Sequence, residues 1–170
     1  MLGSLLTKLK TIREERAEGD RGFTLIELLV VVVIIGILIA IAIPLYSNYK
    51  KGAENKSAAS DVRNAIPVIE QYYTDNSSTY PTSAAATQSS TTSLLNLDGS
   101  GSTHVINLSN GNTIAYVKGT NNPNTYGVCG WNTDGQTLYV YSSVTGKTTT
   151  PSNPTQAPTI TTCGTAAGIS

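Results

Sequence analysis

Four residues in this sequence have types and positions that could carry chemistry. Glu27 is a carboxylate at the start of a long apolar run, His104 is the only histidine, and Cys129 and Cys163 are the only cysteines. One His and two Cys leave little material for a metal cluster or for a His-dependent active site. With no Cys or carboxylate cluster within a few residues, His104 is more typical of a structural histidine than of a catalytic one.

Two Asp-Gly pairs are candidates for calcium-binding loops. Asp98-Gly99 and Asp134-Gly135 lack further carboxylates at ligand spacing, which favours a reading as turns. The sequence also has no catalytic triad, no phosphate-binding loop and no zinc-ligand spacing. It therefore predicts no catalytic residue, no metal and no cofactor, and a protein that is not an enzyme.

The charges divide the chain into three parts. Eleven Lys and Arg balance eleven Asp and Glu, and only 13% of all residues are charged. Residues 1–22 hold nine of these charges, residues 28–49 hold none, and residues 76–170 hold four: Asp98, Lys118, Asp134 and Lys147. This balance excludes a globally basic nucleic-acid binder and gives no support to DNA binding by this chain alone.

The apolar part, residues 23–49, is long enough to cross a membrane. Residues 28–43 are apolar on every face of a helix, and with residues 23–26 and 45–49 added the segment matches a hydrocarbon core of about 30 Å. Basic residues precede it more often than they follow it, so the N-terminus is predicted to be cytoplasmic and the C-terminal part exported. The alternative, a cleaved secretory signal, is disfavoured because Pro44-Leu45-Tyr46 ends the run without a small-residue cleavage site.

Glu27 is out of place in such a segment. A carboxylate near the start of a membrane helix costs at least a few kcal/mol unless it finds a partner, so it is a functional candidate by default. The alternative is a carboxylate that reaches the lipid headgroups and has no further role.

The residues around Glu27 favour the functional reading. The stretch RGFTLIELL, residues 21–29, resembles the processing signature of type IV pilins and of the pseudopilins of secretion systems. The resemblance is specific over residues 22–51 and includes Gly36 and Pro44 at positions usual for that family. A leader of 22 residues is more usual in the subfamily whose mature chain begins with an apolar residue other than Phe.

The resemblance implies a maturation route and an assembly role. A prepilin peptidase would cut between Gly22 and Phe23 and methylate the new N-terminus of Phe23. Glu27 would neutralise the N-terminal amine of a neighbouring subunit, and the segment between Gly36 and Pro44 would bend or lose helical form in the fibre. The implied partners are other pilin subunits, the peptidase, and an inner-membrane assembly platform driven by a cytoplasmic ATPase.

The helix is predicted to continue beyond the membrane to about Asp75. Residues 50–75 carry one apolar stripe at helical spacing, formed by Val62, Ala65, Ile66, Ile69, Tyr72 and Tyr73. Asp61 falls off this stripe. Pro44 is expected to bend the helix, and Pro67 to bend it again or to start a new turn.

The remainder is predicted to be a connecting loop, residues 76–102, followed by an antiparallel sheet and a C-terminal loop, residues 103–170. Short β-like runs at residues 103–108, 113–118, 125–129 and 136–142 alternate with turn signals such as Asn110-Gly111. The apolar face of this four-stranded sheet needs a cover, and the stripe on residues 50–75 is the available one. The predicted fold class is α+β, with one helix across the sheet.

Cys129 and Cys163 are 34 positions apart in the part of the chain that is predicted to be exported. Two cysteines in an exported body fit one disulfide, with a pair of reduced core thiols as the alternative. The bridge would fasten a tail too polar to fold alone, and it resembles the C-terminal disulfide-bounded loop of the pilin family.

Three functions are consistent with these features to different degrees. The first is a structural subunit of a type IV pilus, held in the cytoplasmic membrane and then polymerised into an extracellular fibre for adhesion, motility or DNA uptake. The second is a major pseudopilin of a type II secretion system. The third, a single-span anchored enzyme or binding module, leaves Gly22, Phe23 and Glu27 unexplained and supplies no catalytic residues.

Overall fold

The computed structural model describes residues 23–87, 94–99, 103–151 and 156–169. In chain order the elements are helix α1 (Leu25–Asp75), strands β1 (Ala84–Thr87), β2 (Leu94–Asn96), β3 (Val105–Asn107), β4 (Asn112–Lys118), β5 (Tyr126–Asn132), β6 (Tyr139–Ser142) and β7 (Lys147–Thr149), and helix α2 (Ile160–Ala167). The chain divides into two compact units, Met1–Leu45 and Tyr46–Ser170.

Helix α1 is continuous from Leu25 to Asp75, across Gly36, Pro44 and Pro67. The predicted end near Asp75 is confirmed, and the helix is followed by Ser77 and Ser78, both with positive φ. Pro67 does not interrupt the helix. The bend expected between Gly36 and Pro44 stays a prediction.

The second unit contains a five-stranded antiparallel sheet in the order β1-β4-β5-β6-β7. Strands β4 and β5 form its centre and pair from Asn112 opposite Asn132 to Lys118 opposite Tyr126. The prediction of four strands in one sheet is wrong. The run at 103–108 instead supplies β3, which pairs with β2 in a separate two-stranded sheet, while β1 and β7 form the two edges.

The strands β1 and β2 arise within residues 76–102, where the sequence predicts a loop. Their sequences, AAAT and LLN, are short and contain only one of the β-branched residues that favour strands. They form through pairing: Ala84 lies opposite Tyr116 of β4, and Leu95 opposite Ile106 of β3. Cross-strand pairing rather than local preference therefore decides their conformation.

One face of the five-stranded sheet packs against α1. Val62, Ala65 and Ile69 of the predicted stripe are fully buried there, against alternate residues of the central strands: Ile114, Tyr116, Tyr126 and Val128. The helix approaches β5 so closely at Gly130 that a Cβ atom there would clash with Val62 and with the carbonyl oxygen of Ala58. The predicted packing of the helix on the sheet is confirmed.

The other face of the sheet carries a second layer that the sequence analysis does not predict. Helix α2 covers Ala115, Val117 and Val140, contributing Cys163 and Ala167 to a second hydrophobic cluster. Thr159 caps its N-terminus by accepting a hydrogen bond from the Thr162 amide, and the Thr162 hydroxyl in turn accepts one from the Thr159 amide. The head therefore has two helices on a central sheet, not one.

Asp61 is buried between α1 and the β3–β4 connection, although its position off the apolar stripe predicts an exposed side chain. Its Oδ2 atom accepts hydrogen bonds from the Ser109 amide and the Asn112 side chain, both at 2.7 Å, and Oδ1 accepts from the Ser109 hydroxyl at 2.8 Å. These charge-assisted hydrogen bonds explain why a carboxylate tolerates burial here.

Candidate functional site

The N-terminal half of α1 exposes an unbroken apolar surface. Its large hydrophobic side chains from Leu25 to Leu45 are all 46–89% exposed in this chain, and none contributes to either core cluster. Residues 25–45 of a helix span about 31 Å, close to the thickness of a hydrocarbon core. In the described part of the chain this is the one helix long and apolar enough to cross a membrane. Such a surface requires lipid or other apolar helices around it.

Glu27 lies in a capping box at the start of α1. Its Oε2 atom accepts hydrogen bonds from the Thr24 amide at 2.8 Å and from the Thr24 hydroxyl at 2.7 Å. The Glu27 amide donates to the Thr24 hydroxyl oxygen at 3.4 Å. Both ends of the Thr-x-x-Glu motif thus satisfy backbone groups that a helix N-terminus leaves open. The spacing of Thr24 and Glu27 is the sequence signature of this box, and it was missed among the features predicted above.

Of the two predicted cleavage-site residues, one lies outside the part of the chain that the structure describes and the other begins it. Gly22 is outside the described residues. Phe23 is the first described residue and is 82% exposed. Residues 23–49 contain no Lys or Arg, so the segment itself provides no cation for the Glu27 carboxylate.

Gly36 and Pro44 lie on α1 within the exposed apolar surface. Apart from the adjacent residues and the nearby helix backbone, no heavy atom is within 4 Å of the position that a Cβ of Gly36 would occupy. The glycine therefore leaves an open notch on the helix surface, in contrast to Gly130, whose lack of a side chain is required by packing within the head.

Cys129 and Cys163 form a disulfide, as predicted. Cys129 lies on β5 and Cys163 on α2, their Cα atoms are 5.7 Å apart, and both are fully buried. The bridge fastens α2 to the centre of the sheet. Because α2 has only eight residues and contributes Cys163 and Ala167 to the hydrophobic cluster, the covalent link adds to a small apolar contact.

His104 joins two carboxylates that are distant in sequence. Its Nδ1 lies 2.8 Å from Oδ1 of Asp98, and its Nε2 lies 2.9 Å from Oδ2 of Asp75. Its side chain is only 7% exposed and contacts Tyr72 edge to face. Both ring nitrogens face acceptors, so the geometry fits the doubly protonated imidazolium. The two carboxylates, Asp98 first and then Asp75, raise the pKa of His104 above its usual value.

His104 is therefore structural, as the sequence suggests, but it is not isolated. It connects the last residue of α1 to the β2–β3 turn. Asp98, one of the two Asp-Gly candidates, accepts hydrogen bonds from the His104 and Thr103 amides, as expected for a turn carboxylate. The described residues include no group of three or more His, Cys, Asp or Glu side chains placed to hold a metal ion.

A tyrosine cluster surrounds Glu70 where α1 meets the sheet. The Tyr126 hydroxyl donates to Glu70 Oε1 at 2.7 Å, and the Tyr80 hydroxyl lies 3.2 Å from Oε2. Desolvation, followed by the Glu70 charge, raises the pKa of Tyr80 to about 12. Tyr116 and Tyr126 are fully buried. These tyrosines are therefore core residues that keep a hydrogen-bond partner for the polar end of the ring.

A family model matches the N-terminal part of the chain. Residues 19–43 match the family model described as the prokaryotic N-terminal methylation motif. The chain is 37% identical over 73 residues to the type II secretion system core protein G of Klebsiella michiganensis, covering 43% of this chain and 51% of that protein.

Fimbrial proteins match over shorter segments of the chain. Fimbrial protein EcpC of Eikenella corrodens is 41% identical over 56 residues, covering 33% of this chain and 37% of that protein. A fimbrial protein of Pseudomonas aeruginosa is 53% identical over 45 residues, covering 26% and 29%. The chain spans about half, or less, of the length of these relatives.

The methylation motif and the similarity to fimbrial and core protein G relatives support a type IV pilin or pseudopilin. The long N-terminal helix, the antiparallel sheet and the Cys129–Cys163 disulfide fit the pilin fold.

Proposed function

We propose that the protein is a structural subunit of a type IV pilus. The observation that carries this proposal is the exposed apolar helix of residues 25–45, which overlaps the methylation motif of residues 19–43 and has Glu27 in the capping box at its start. A surface of this kind is stable in a bilayer before assembly and among identical helices afterwards. The role is that of a building block and not of an enzyme.

Maturation would remove residues 1–22 on the cytoplasmic side. Cleavage after Gly22 leaves Phe23 as the N-terminal residue, and its amine, with an ordinary pKa of about 8, would carry the methyl group. The helix of residues 23–49 would hold the subunit in the cytoplasmic membrane with its head exported. Extraction into a surface fibre would follow.

Assembly would pair Glu27 with the Phe23 amine of a neighbouring subunit. Each charge alone is costly in an apolar fibre core, and the two together are less so, which favours one axial register. The capping box supports this role because it holds the carboxylate in a fixed position at the helix start. Loss of helical form between Gly36 and Pro44, where an uncovered glycine and a proline weaken the helix, would adapt subunits to the fibre.

The partners would be other copies of this chain, the prepilin peptidase and an inner-membrane assembly platform with its cytoplasmic ATPase. The second candidate is the major pseudopilin of a type II secretion system, and the similarity to the core protein G relatives favours it. The disulfide-bound α2 layer at the C-terminus favours the pilus, because it gives the head a stable outer surface suited to an exposed fibre.

N-terminal sequencing of sheared surface fibres tests the proposal. The fibres should contain a 148-residue chain that starts with N-methylated Phe23. Gly22→Val should leave the precursor in the membrane, because a β-branched side chain does not fit where a peptidase accepts glycine. Gly19→Val, in the same leader, is the matched control and should be processed normally. A cell-surface chain that starts at Met1 or near Tyr46 would contradict the proposal. Fibres confined to the periplasm would favour the pseudopilin.

A further inference from the structure

An open depression lies on the head where α1 meets the β5–β6 turn. Its volume is about 290 Å³, and it lies entirely within the second unit of the chain. Its lining is polar and consists of Ser47, Lys50, Lys51, Thr133, Asp134 and Gln136. Neither the disulfide nor the Glu27 site involves any of these residues.

One side of the depression is formed by an ion pair and by a turn that hydrogen bonds hold in place. The Lys50 ammonium lies 2.6 Å from Oδ2 of Asp134, with both side chains about half exposed. Asn132 Oδ1 accepts hydrogen bonds from the Asp134 and Gly135 amides, and Asn55 Oδ1 accepts one from the Thr137 amide. The Asn55 bond and the Lys50–Asp134 pair join the turn to α1, and the Asn132 bonds fix the backbone of the turn.

The charge of the depression suits a single anion. Lys50 and Lys51 contribute two positive charges and Asp134 one negative charge, so the net charge is +1. Asp134 is the hydrogen-bonded partner of Lys50, and Lys51 makes no ion pair among the described residues. The Ser47 hydroxyl and the Gln136 side-chain amide add neutral donors, while the Thr133 hydroxyl already donates to the Gly111 carbonyl oxygen at 3.2 Å. A monoanionic phosphodiester matches this set better than a dianionic phosphate does.

The position of the depression indicates where such an anion would come from. Lys50 and Lys51 immediately follow the apolar residues 23–49, and Tyr46 and Tyr49 beside them are each 72% exposed. Exposed tyrosines next to lysines at the end of an apolar helix are typical of the membrane–water interface. At that depth the abundant anion is the phosphodiester of a phospholipid headgroup.

We propose that the depression formed by Lys50, Lys51 and the turn at residues 133–136 binds a phospholipid headgroup through its phosphodiester while the subunit is held in the membrane. This inference depends on the membrane-held state in the proposed function. The contact would seat the head on the exported surface of the bilayer. It would have to be released when the subunit leaves the membrane.

Nanodiscs test the contact with the full chain. Nanodiscs of phosphatidylethanolamine and phosphatidylglycerol with a trace of headgroup spin-labelled lipid should broaden the amide resonances of residues 133–136. The exposed strand β7, Lys147–Thr149, serves as the internal reference. Lys51→Gln, which leaves the Lys50–Asp134 pair intact, should reduce the broadening at 133–136 by at least half. Lys56→Gln, an exposed lysine of the same helix outside the depression, should leave it unchanged.

The remaining outcomes separate the two proposals. If the chain enters nanodiscs but residues 133–136 broaden no more than β7, or Lys51→Gln has no effect, the headgroup site is overturned and the pilin function stands. If the chain fails to enter nanodiscs, the membrane-held state itself fails.

In detergent micelles, millimolar inorganic phosphate should not shift the Lys51 or Thr133 resonances. Saturable shifts there would indicate a general anion site and overturn the assignment to lipid.

Discussion

The Nε2 atom of His104 lies 2.9 Å from Oδ2 of Asp75, so the only histidine of the chain is joined to the last residue of α1. Asp98 holds the other ring nitrogen at 2.8 Å. Hydrogen bonds from His104 lower the pKa of Asp98, and hydrogen bonds from Gln71 and then His104 lower the pKa of Asp75. The end of the helix and the β2–β3 turn are therefore linked by a contact whose strength depends on protonation.

The first prediction is a pH-dependent contribution of His104 to stability. Its pKa is raised in the folded state, so the contribution is complete below its ordinary value of 6.5 and is lost as the pH rises through the raised value. The lowered pKa values of Asp75 and Asp98 act in the opposite direction, since their contribution is lost on acidification below their ordinary 3.8. The contact should be strongest between about pH 4 and pH 6.5.

Thermal unfolding of the chain in micelles from pH 4 to pH 10 measures this effect. The difference in midpoint between the wild type and His104→Gln should be largest near pH 5–6 and should shrink at alkaline pH. Because His104 is the only histidine, NMR can follow the titration of its imidazole without overlap. Asp98→Asn should lower the pKa of His104. A midpoint difference that is constant with pH would contradict the prediction.

The second prediction concerns the close approach of α1 to β5 at Gly130. A Cβ there would clash with Val62 and with the Ala58 carbonyl oxygen, so Gly130→Ala should destabilise the head by about 1–3 kcal/mol. Gly52→Ala is the control, because Gly52 lies on α1 where an added Cβ would contact no neighbouring side chain or strand. This substitution should raise the free energy of unfolding by up to about 1 kcal/mol. Urea unfolding in micelles measures both. Equal stability of Gly130→Ala and the wild type would show that the helix does not pack this closely.

These contacts show which parts of the fold are predictable from sequence. The apolar period of α1 identifies Val62, Ala65 and Ile69 as buried and locates the helix end near Asp75, because helical spacing is a local property. The turn at Asn110-Gly111 is equally local, and Gly111 has the positive φ that such a turn requires. The central strands β4 and β5 follow from alternation between turns.

The elements that the sequence analysis does not predict depend on distant partners. Strand β1, with the sequence AAAT, pairs with β4, and the eight-residue helix α2 is joined to β5 by the bridge from Cys163 to Cys129. The helical position of Asp61 predicts a surface residue. Its burial depends on hydrogen bonds donated by Ser109, which lies 48 positions later in the chain. Likewise, Asp75 and His104 are 29 positions apart, so no local pattern connects them.

The third prediction concerns the disulfide. Reduction of the Cys129–Cys163 bridge should lower the free energy of unfolding by about 3–4 kcal/mol, as expected for closing a loop of this length. Helix α2 should then leave the sheet and become sensitive to proteolysis within residues 150–169. Cys163→Ser without reductant should match the reduced wild type. Protease resistance and an unchanged unfolding midpoint after reduction would show that the hydrophobic cluster alone holds α2.

The fourth prediction separates the two roles of Glu27. Glutamine keeps the size of the side chain and an oxygen that can accept from the Thr24 amide, so Glu27→Gln preserves the capping box and removes only the charge. Thr24→Ala does the reverse, because it keeps the charge and loses the hydroxyl, at a cost of about 1 kcal/mol to the helix start.

If the carboxylate pairs with the Phe23 amine of a neighbour, Glu27→Gln should insert into the membrane and fold its head normally yet give few or no fibres. Glu27→Asp should be intermediate because of its shorter reach, and Thr24→Ala should retain most assembly, since the charge remains. Fibre yield after shearing, compared by immunoblot with the membrane pool, measures all three variants. If instead Thr24→Ala abolishes fibres and Glu27→Gln does not, with processing intact in both, Glu27 acts as a helix cap and the charge pairing is wrong.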